Sequence, residues 1–431
     1  MVQRRSPQLF ACCSLLASAL ALGACGDARP AGPDGPAGGD AGPDGPGGDG
    51  GGGTDAGPTC PITVAAPKQL MITSLAIVND PVRTSWTGEL ADAADGAWHF
   101  GRLMTQMAGA TDPEAFVRSW IAQWETDVIV NGINVPPRPV ISQFINAWPK
   151  TPEGKLDLTK APLRLLAIVN RFDLRGPGDA GEGRFVFGWI LDGTPAEFTV
   201  IFEYKLLAAD EDAVRSWAHA WRDLGAETLG SDAYRAKLQA ITDRFTARDA
   251  GAGRPNGSAI SQVRTNEDAL DFPWELREFH VNDAGQLRMV PPALTPSNLV
   301  PNFNNSARLA TFLTDNAAAI KAEKHTVPLL LAGEPFAAGA TLNATEPWFA
   351  PGITDSELRH RFSLNTCSGC HGAETSTNFL HIGIRDSSAE SSLSGFLVGQ
   401  NALDPLTGVS RRQNTLADRA KTLTDYLCAN R

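Results

Sequence analysis

The 431 residues predict an α+β chain, with a larger mixed domain of helices and strands followed by a small all-α domain. Three observations lead there. Apolar, β-rich runs broken by turn residues recur between 69 and 290. Aromatic stripes at helical spacing lie among them. From about 350 onward the pattern is one helix before a short Cys- and His-bearing stretch and one helix near the end.

Taken in order, the chain opens on MVQRRSPQLFACCSLLASALALGACGDA. Arg4 and Arg5 give a positive start. The apolar run from Leu9 to Leu22 is shorter than a bilayer span and ends in small residues, which reads as a secretory signal over residues 1–24. Leu22-Gly23-Ala24-Cys25 resembles the lipobox of bacterial lipoproteins. That resemblance implies that Cys25 becomes the acylated first mature residue. It places the protein in the cell envelope, lipid-anchored and facing the periplasm or the cell surface. Residues 26–59 repeat AGPDGP and hold no apolar residue larger than Ala or Pro, so 25–59 read as an anchor and a Gly/Pro/Asp tether. Such a tether spans roughly 30 Å.

A net charge of −11 argues against nucleic acid as a partner and suits a basic redox protein. In an oxidising compartment Cys60 and Cys428, near the two ends of the folded part, are candidates for a disulfide; two separate thiols are the alternative.

Residues 60–349 read as the α+β domain, of undisclosed role. QLMITSLAIVND (69–80) and LRLLAIVNRFDL (163–174) look like buried strands sharing LAIVN. Residues 183–206 form a hairpin candidate through Asp192-Gly193, and 274–290 another through Asn282 to Gly285. Asp112 caps a helix with Pro113 at its first position, followed by Phe116, Trp120 and Trp124 on one stripe. Val214 to Leu224 and Tyr234 to Phe245 give two further stripes. Glu267, Glu275, Arg277 and Glu278 read as a solvated strand face. No nucleophile elbow, zincin or dinucleotide motif is present.

Thr354 and Glu357 suggest a capping box for a helix bearing Leu358 and Phe362, which runs into LNTCSGCHGA. Cys367, Cys370 and His371 form C-x-x-C-H. A helical turn puts both thiols on one side with the imidazole directly after, which suits two thioethers to a haem and a bond to its iron. The residues alone leave other readings. Cys367, Cys370, His371 and His381 make a Cys₂His₂ zinc set, although adjacent Cys370 and His371 would be strained on one ion. A Cys367–Cys370 disulfide is the second, without the βαβ context of a redox fold, and a chance match is the third.

Residues 350–431 resemble a small c-type cytochrome domain. The resemblance implies one haem c per chain, with Cys367 and Cys370 as thioether positions and His371 as proximal ligand. It also implies a terminal helix, carrying Leu416, Ala420, Leu423 and Leu427, packed on Leu358 and Phe362. No Met follows His371, so His381 is the expected sixth ligand. Met289, His325, His360 or an open position are the alternatives, and Arg385 is a candidate propionate partner. The expected function is single-electron transfer by an envelope-anchored monohaem cytochrome. The alternatives are a haem oxidoreductase with substrate bound by the larger domain, and a zinc- or disulfide-stapled binding lipoprotein.

Overall fold

The computed structural model describes residues 60–342 and 346–429. The signal, Cys25 and the tether lie outside the described residues.

An eight-stranded antiparallel sheet dominates. Its strands are β1 (Met71–Ile72), β2 (Leu163–Arg171), β3 (Asp179–Leu191), β4 (Thr194–Leu207), β5 (Ile260–Glu267), β6 (Glu275–Val281), β7 (Leu287–Val290) and β8 (Thr341–Leu342). The first six lie side by side in chain order, and β6 is flanked on its outer side by β7 and β8. The β3–β4 hairpin turns at Asp192 (φ 48°) and Gly193 (φ 82°), with Leu191 opposite Thr194. Two left-handed residues are what a type I′ turn requires, and Asp-Gly supplies them. The 274–290 hairpin also forms, with Val281 opposite Leu287.

One face of the sheet is aromatic. Phe187 and Phe202 meet Phe100 of helix α1 (Phe100–Met107), at 5.5 and 5.2 Å between ring centres. Helix α2 (Pro113–Ile121) starts as its sequence indicates, with the Asp112 carboxylate accepting from the Ala115 amide at 2.8 Å. It delivers Trp120 against Phe279. Helices α3 (Glu211–Asp223) and α4 (Asp232–Thr246) bury Trp217, Trp221 and Phe245 beside the same sheet.

LAIVN does not repeat its structure. At 166–170 it lies within β2, whereas Leu75–Val78 is a helical turn after Ser74, and β1 is only two residues long. Five apolar residues do not choose between helix and strand; the neighbours they pack on do.

The charged cluster is not solvated. Glu267, Glu275, Arg277 and Glu278 are all buried. Arg277 donates to Glu275 at 2.6 Å and to the carbonyls of Gln123 and Pro136, while Arg138 lies 3.8 Å from both Glu267 and Glu275. Burial pushes the Glu267 carboxyl up to about 7, against the pull of Arg277.

The C-terminal fifth is not a separate all-α cytochrome c-like domain, so that expectation is corrected. It comprises α5 (Ser356–Asn365), the four-residue α6 (Cys367–Cys370), the short α7 (Gly395–Val398), a hairpin of β9 (Gln400–Leu403) and β10 (Ser410–Gln413), and the terminal α8 (Thr415–Ala429). Its apolar residues complete the core of the sheet: Phe396, Leu397, Leu416, Leu423 and Leu427 belong to one cluster with β2 and β3. Leu358 and Phe362 pack instead with Phe303, Phe312 and Trp348, so the terminal helix is not their partner. The helix α5 is capped by Asp355, which accepts from the amides of Glu357 and Leu358, rather than by Thr354. Glu357 is thereby left to pair with Arg361 and Arg411. A Cys60–Cys428 disulfide, with Cα atoms 5.9 Å apart, ties the start of the described chain to α8.

Candidate functional site

The motif is held from three sides. Thr366 caps α6, its hydroxyl accepting from the Gly369 amide at 3.0 Å. Ser368 accepts from the Trp348 indole at 2.9 Å, and the Cys367 amide donates to Thr295 at 3.0 Å. Gly369 is required, because a Cβ there would stand 2.1 Å from the Ser363 carbonyl oxygen. Thus both residues between the cysteines have structural work, and Cys367 and Cys370 are fully buried.

His371 closes α6. Its Nδ1 donates to the Phe379 carbonyl at 2.5 Å, which fixes the tautomer with the proton on Nδ1. Trp274 stacks on the ring at 5.3 Å and 23°. The ring lies on the wall of a pocket of about 70 Å³.

That pocket lies between the C-terminal segment and the sheet face opposite the aromatic one. Leu380, Ile382 and Leu397 line one side, and Met71, Val169, Val186, Ile201 and Leu276 the other. Polar groups share the sheet side: Arg171, Arg184, Glu203, Arg264, Thr199 and Asn266, with Arg419 reaching in from α8. Arg184 pairs with Glu182 at 2.7 Å and Glu203 at 3.2 Å; Arg264 pairs with Glu203 at 3.3 Å and Glu278 at 2.9 Å. Burial opposes ionisation of Glu278 and Glu182. The neighbouring Arg264 and Arg184 nevertheless hold both carboxyls down to about 2. Asn266 donates to Thr199 at 2.9 Å, while its buried Oδ1 has no hydrogen-bond partner.

His381 also lines the pocket, but beside His371. The ring centres are 4.6 Å apart and the planes are inclined by 59°. Two imidazoles on opposite faces of one porphyrin would sit roughly 6 Å apart, two metal–nitrogen bonds of about 2 Å plus the ring radii. In this arrangement His381 instead reaches Cys370 Sγ with Nε2 at 3.3 Å and Ser394 Oγ with Nδ1 at 2.9 Å. Met289, His325 and His360 do not line the pocket. Arg385 is also elsewhere: it donates to the carbonyls of Val78 and Leu165, clamping the C-terminal segment to β2.

Cys367, Cys370, His371 and His381 do not converge as zinc ligands do. Among the described residues the group closest to a metal set is His360, Glu374 and Asp404. There Arg359 takes the place of a cation, 2.6 Å from Glu374 and 2.7 Å from Asp404. Burial raises the Asp404 carboxyl, but the amides of Thr407 and Leu406 and the Arg359 guanidinium hold it far below the usual range.

The residues that would hold a haem c are Cys367, Cys370 and His371. Of these, His371 stands on the pocket wall among apolar residues and guanidinium groups, while Cys367 and Cys370 are buried and do not line the pocket. The sheet-borne arginines escaped the sequence reading. Their signal was the alternation of charged with aromatic residues in GRFVFGW and IFEYK, which looks the same whether the charged side is wet or covered. Among the described residues no helix is long and apolar enough to cross a membrane. No family model, curated protein or solved structure matches the chain, so the site's chemistry is the guide to its function.

Proposed function

We propose that this chain is an exported, lipid-anchored one-electron carrier of the cell envelope, with one haem bonded to Cys367 and Cys370 and its iron bound by His371. When bound, the haem supplies a reversible one-electron couple. The chain's residues do the rest. Phe379 fixes the imidazole by accepting from its Nδ1. Trp274 packs on the ring, and the leucines and isoleucine of the C-terminal segment exclude water. His381 is a positioning residue for Cys370 rather than the sixth ligand. The observation that carries this reading is the C-x-x-C-H segment with His371, its tautomer fixed, on the wall of the pocket.

Intact-mass measurement of exported protein tests it. The expected result is a covalent tetrapyrrole that survives denaturing electrophoresis and is lost in Cys367→Ser with Cys370→Ser. Exported protein without that added mass overturns the proposal. The unpartnered Oδ1 of Asn266 favours a second reading, an oxidoreductase with a small polar substrate beside the iron. Carbon monoxide binding to the reduced protein separates the two, since a carrier with a closed iron does not bind it.

A further inference from the structure

We propose that the pocket between the C-terminal segment and the sheet binds a small uncharged molecule, a short aliphatic chain ending in a primary carboxamide, with the carboxamide seated on Asn266 and Thr199. This deepens the second reading above, a small polar substrate at Asn266, and rests on that reading's pocket rather than on its iron.

Size sets the first limit. The pocket has a volume of about 70 Å³. One water-sized sphere needs roughly 10–15 Å³, so the space takes about five or six non-hydrogen atoms.

Charge sets the second. Guanidinium groups reach the wall from Arg171, Arg184, Arg264 and Arg419. Carboxylates stand against them in a ladder of ion pairs. Asp173 lies 2.9 Å from Arg171; Glu182 and Glu203 lie 2.7 and 3.2 Å from Arg184; Glu203 and Glu278 lie 3.3 and 2.9 Å from Arg264. Lys205 of the same face is matched by Asp179 at 3.4 Å. These groups keep their charges despite burial, Glu182 and Glu278 through their arginines and Arg264 through its carboxylates. Asp173, Glu182, Glu203 and Glu278 thus offset the guanidinium groups one for one. A ligand carboxylate or ammonium would enter this balanced interior as an uncompensated charge, which is costly. An uncharged ligand adds none.

Hydrogen bonding sets the third. Asn266 and Thr199 are opposite each other on β5 and β4, and both line the pocket. They are 2% and 1% exposed. Asn266 Nδ2 donates to Thr199 Oγ1 at 2.9 Å, and Asn266 Oδ1 has no hydrogen-bond partner. The Thr199 hydroxyl accepts from Asn266 and still has its own proton to give. An acceptor beside a donor is the complement of a carboxamide, whose N–H reaches Oδ1 while its carbonyl accepts from Thr199. Leaving a buried acceptor unpaired costs enough to discriminate against a ligand without the donor. The next cross-strand row, roughly 7 Å along, carries Val186 and Ile201. With Leu380 and Leu397 they supply the apolar wall for a short aliphatic chain.

Ligand-observed NMR titration of the full-length exported protein with propionamide tests this. Propionamide is expected to bind in the millimolar range or tighter. It should bind about tenfold more tightly than propionate, which brings a charge, and than 2-butanone, which lacks the donor. Asn266→Leu with Thr199→Val should weaken propionamide about tenfold and abolish its advantage over 2-butanone. The unliganded melting temperature of that variant should not fall below the parent's, since no buried acceptor is left unpaired. If the variant does not fold, the ligand series on the parent decides. No binding of propionamide, or equal binding of propionamide and either comparison ligand, overturns the inference. A haem stain of the same sample keeps the failures apart: unstained protein that binds propionamide overturns the carrier reading and supports this one, and stained protein that does not bind it overturns this one alone.

Discussion

On one face of the central sheet Phe185, Phe187, Phe202 and Tyr204 meet the aromatic side chains of α1 and α4. On the other, from the same strands and one residue along, Glu182, Arg184, Glu203 and Lys205 form ion pairs. Both faces are buried. The aromatic face is held by area, about 25 cal/mol for each Å² removed from water. The ionic face gains little net stability, because desolvation offsets most of the attraction between buried charges. The aromatic face also buries Arg138, Glu267, Glu275 and Arg277, so the difference teaches that buried charge alone does not mark a site; what sets the second face apart is the pocket lined by Arg184, Glu203 and Arg264.

The largest expected effect concerns the lid over the ionic face. Helix α8 brings Arg419, Leu423 and Tyr426 to that side, and Cys60–Cys428 fastens its end. The bridge closes a loop with a sequence separation of 368 residues. Replacing both cysteines by serine should cost about 5 kcal/mol in denaturant unfolding, the chain-entropy figure for a long loop. Amide exchange should rise first in α8 and β2. Uniform exchange through α1 and α2 as well would show that the two faces open together and remove the distinction.

A second test exchanges the materials. Phe202→Ala should cost about 4 kcal/mol, since Phe100 and Phe187 both lose a partner. Arg264→Leu should cost about 3 kcal/mol, because Glu203 and Glu278 are left buried without their cation. The faces part in the next step. Adding Glu203→Leu and Glu278→Leu to Arg264→Leu should restore most of the lost stability, whereas no partner change near Phe202 refills its cavity. Thermal and urea unfolding of the triple variant provide the measurement; a triple variant less stable than Arg264→Leu alone would mean that the ionic ladder is structural.

The same contrast explains what the sequence could disclose. The hairpins at Asp192-Gly193 and after Val281, the Asp112 cap and the aromatic stripes are local, and each formed where its residues place it. C-x-x-C-H stands out because it spans five residues, yet of its three members only His371 lines the pocket. The polar sheet face was not, since alternation of Glu203, Tyr204 and Lys205 states only that two faces differ and is silent on what covers the second. The all-α C-terminal domain failed for a related reason. Leu416, Leu423 and Leu427 announce an apolar stripe, but not that its partner is a sheet over two hundred residues earlier. His381 lies beside His371 because Phe379, two residues before it, supplies the carbonyl that holds the His371 ring.

The smallest expected effect separates the faces by pH. On the helix side Glu267 is raised to about 7 by burial, so the folded state holds its proton between the unfolded value of 4.5 and about 7. Its contribution is complete below 4.5 and is lost as the pH rises through 7. On the pocket side Glu182 and Glu278 are held near 2, so their contribution is complete above 4.5 and lost as the pH falls toward 2. His99 and His325, lowered by burial to about 4 from 6.5, stabilise fully above 6.5 and progressively less toward 4. Between pH 6 and 7 the histidines therefore gain what Glu267 loses, and the parent protein should be nearly flat there. Glu267→Gln removes the opposing member. Its stability should climb by about 1 kcal/mol more than the parent's over that interval. Parallel stability–pH curves for the two proteins would place the Glu267 carboxyl among the ordinary ionised carboxylates and erase the difference in protonation between the two faces.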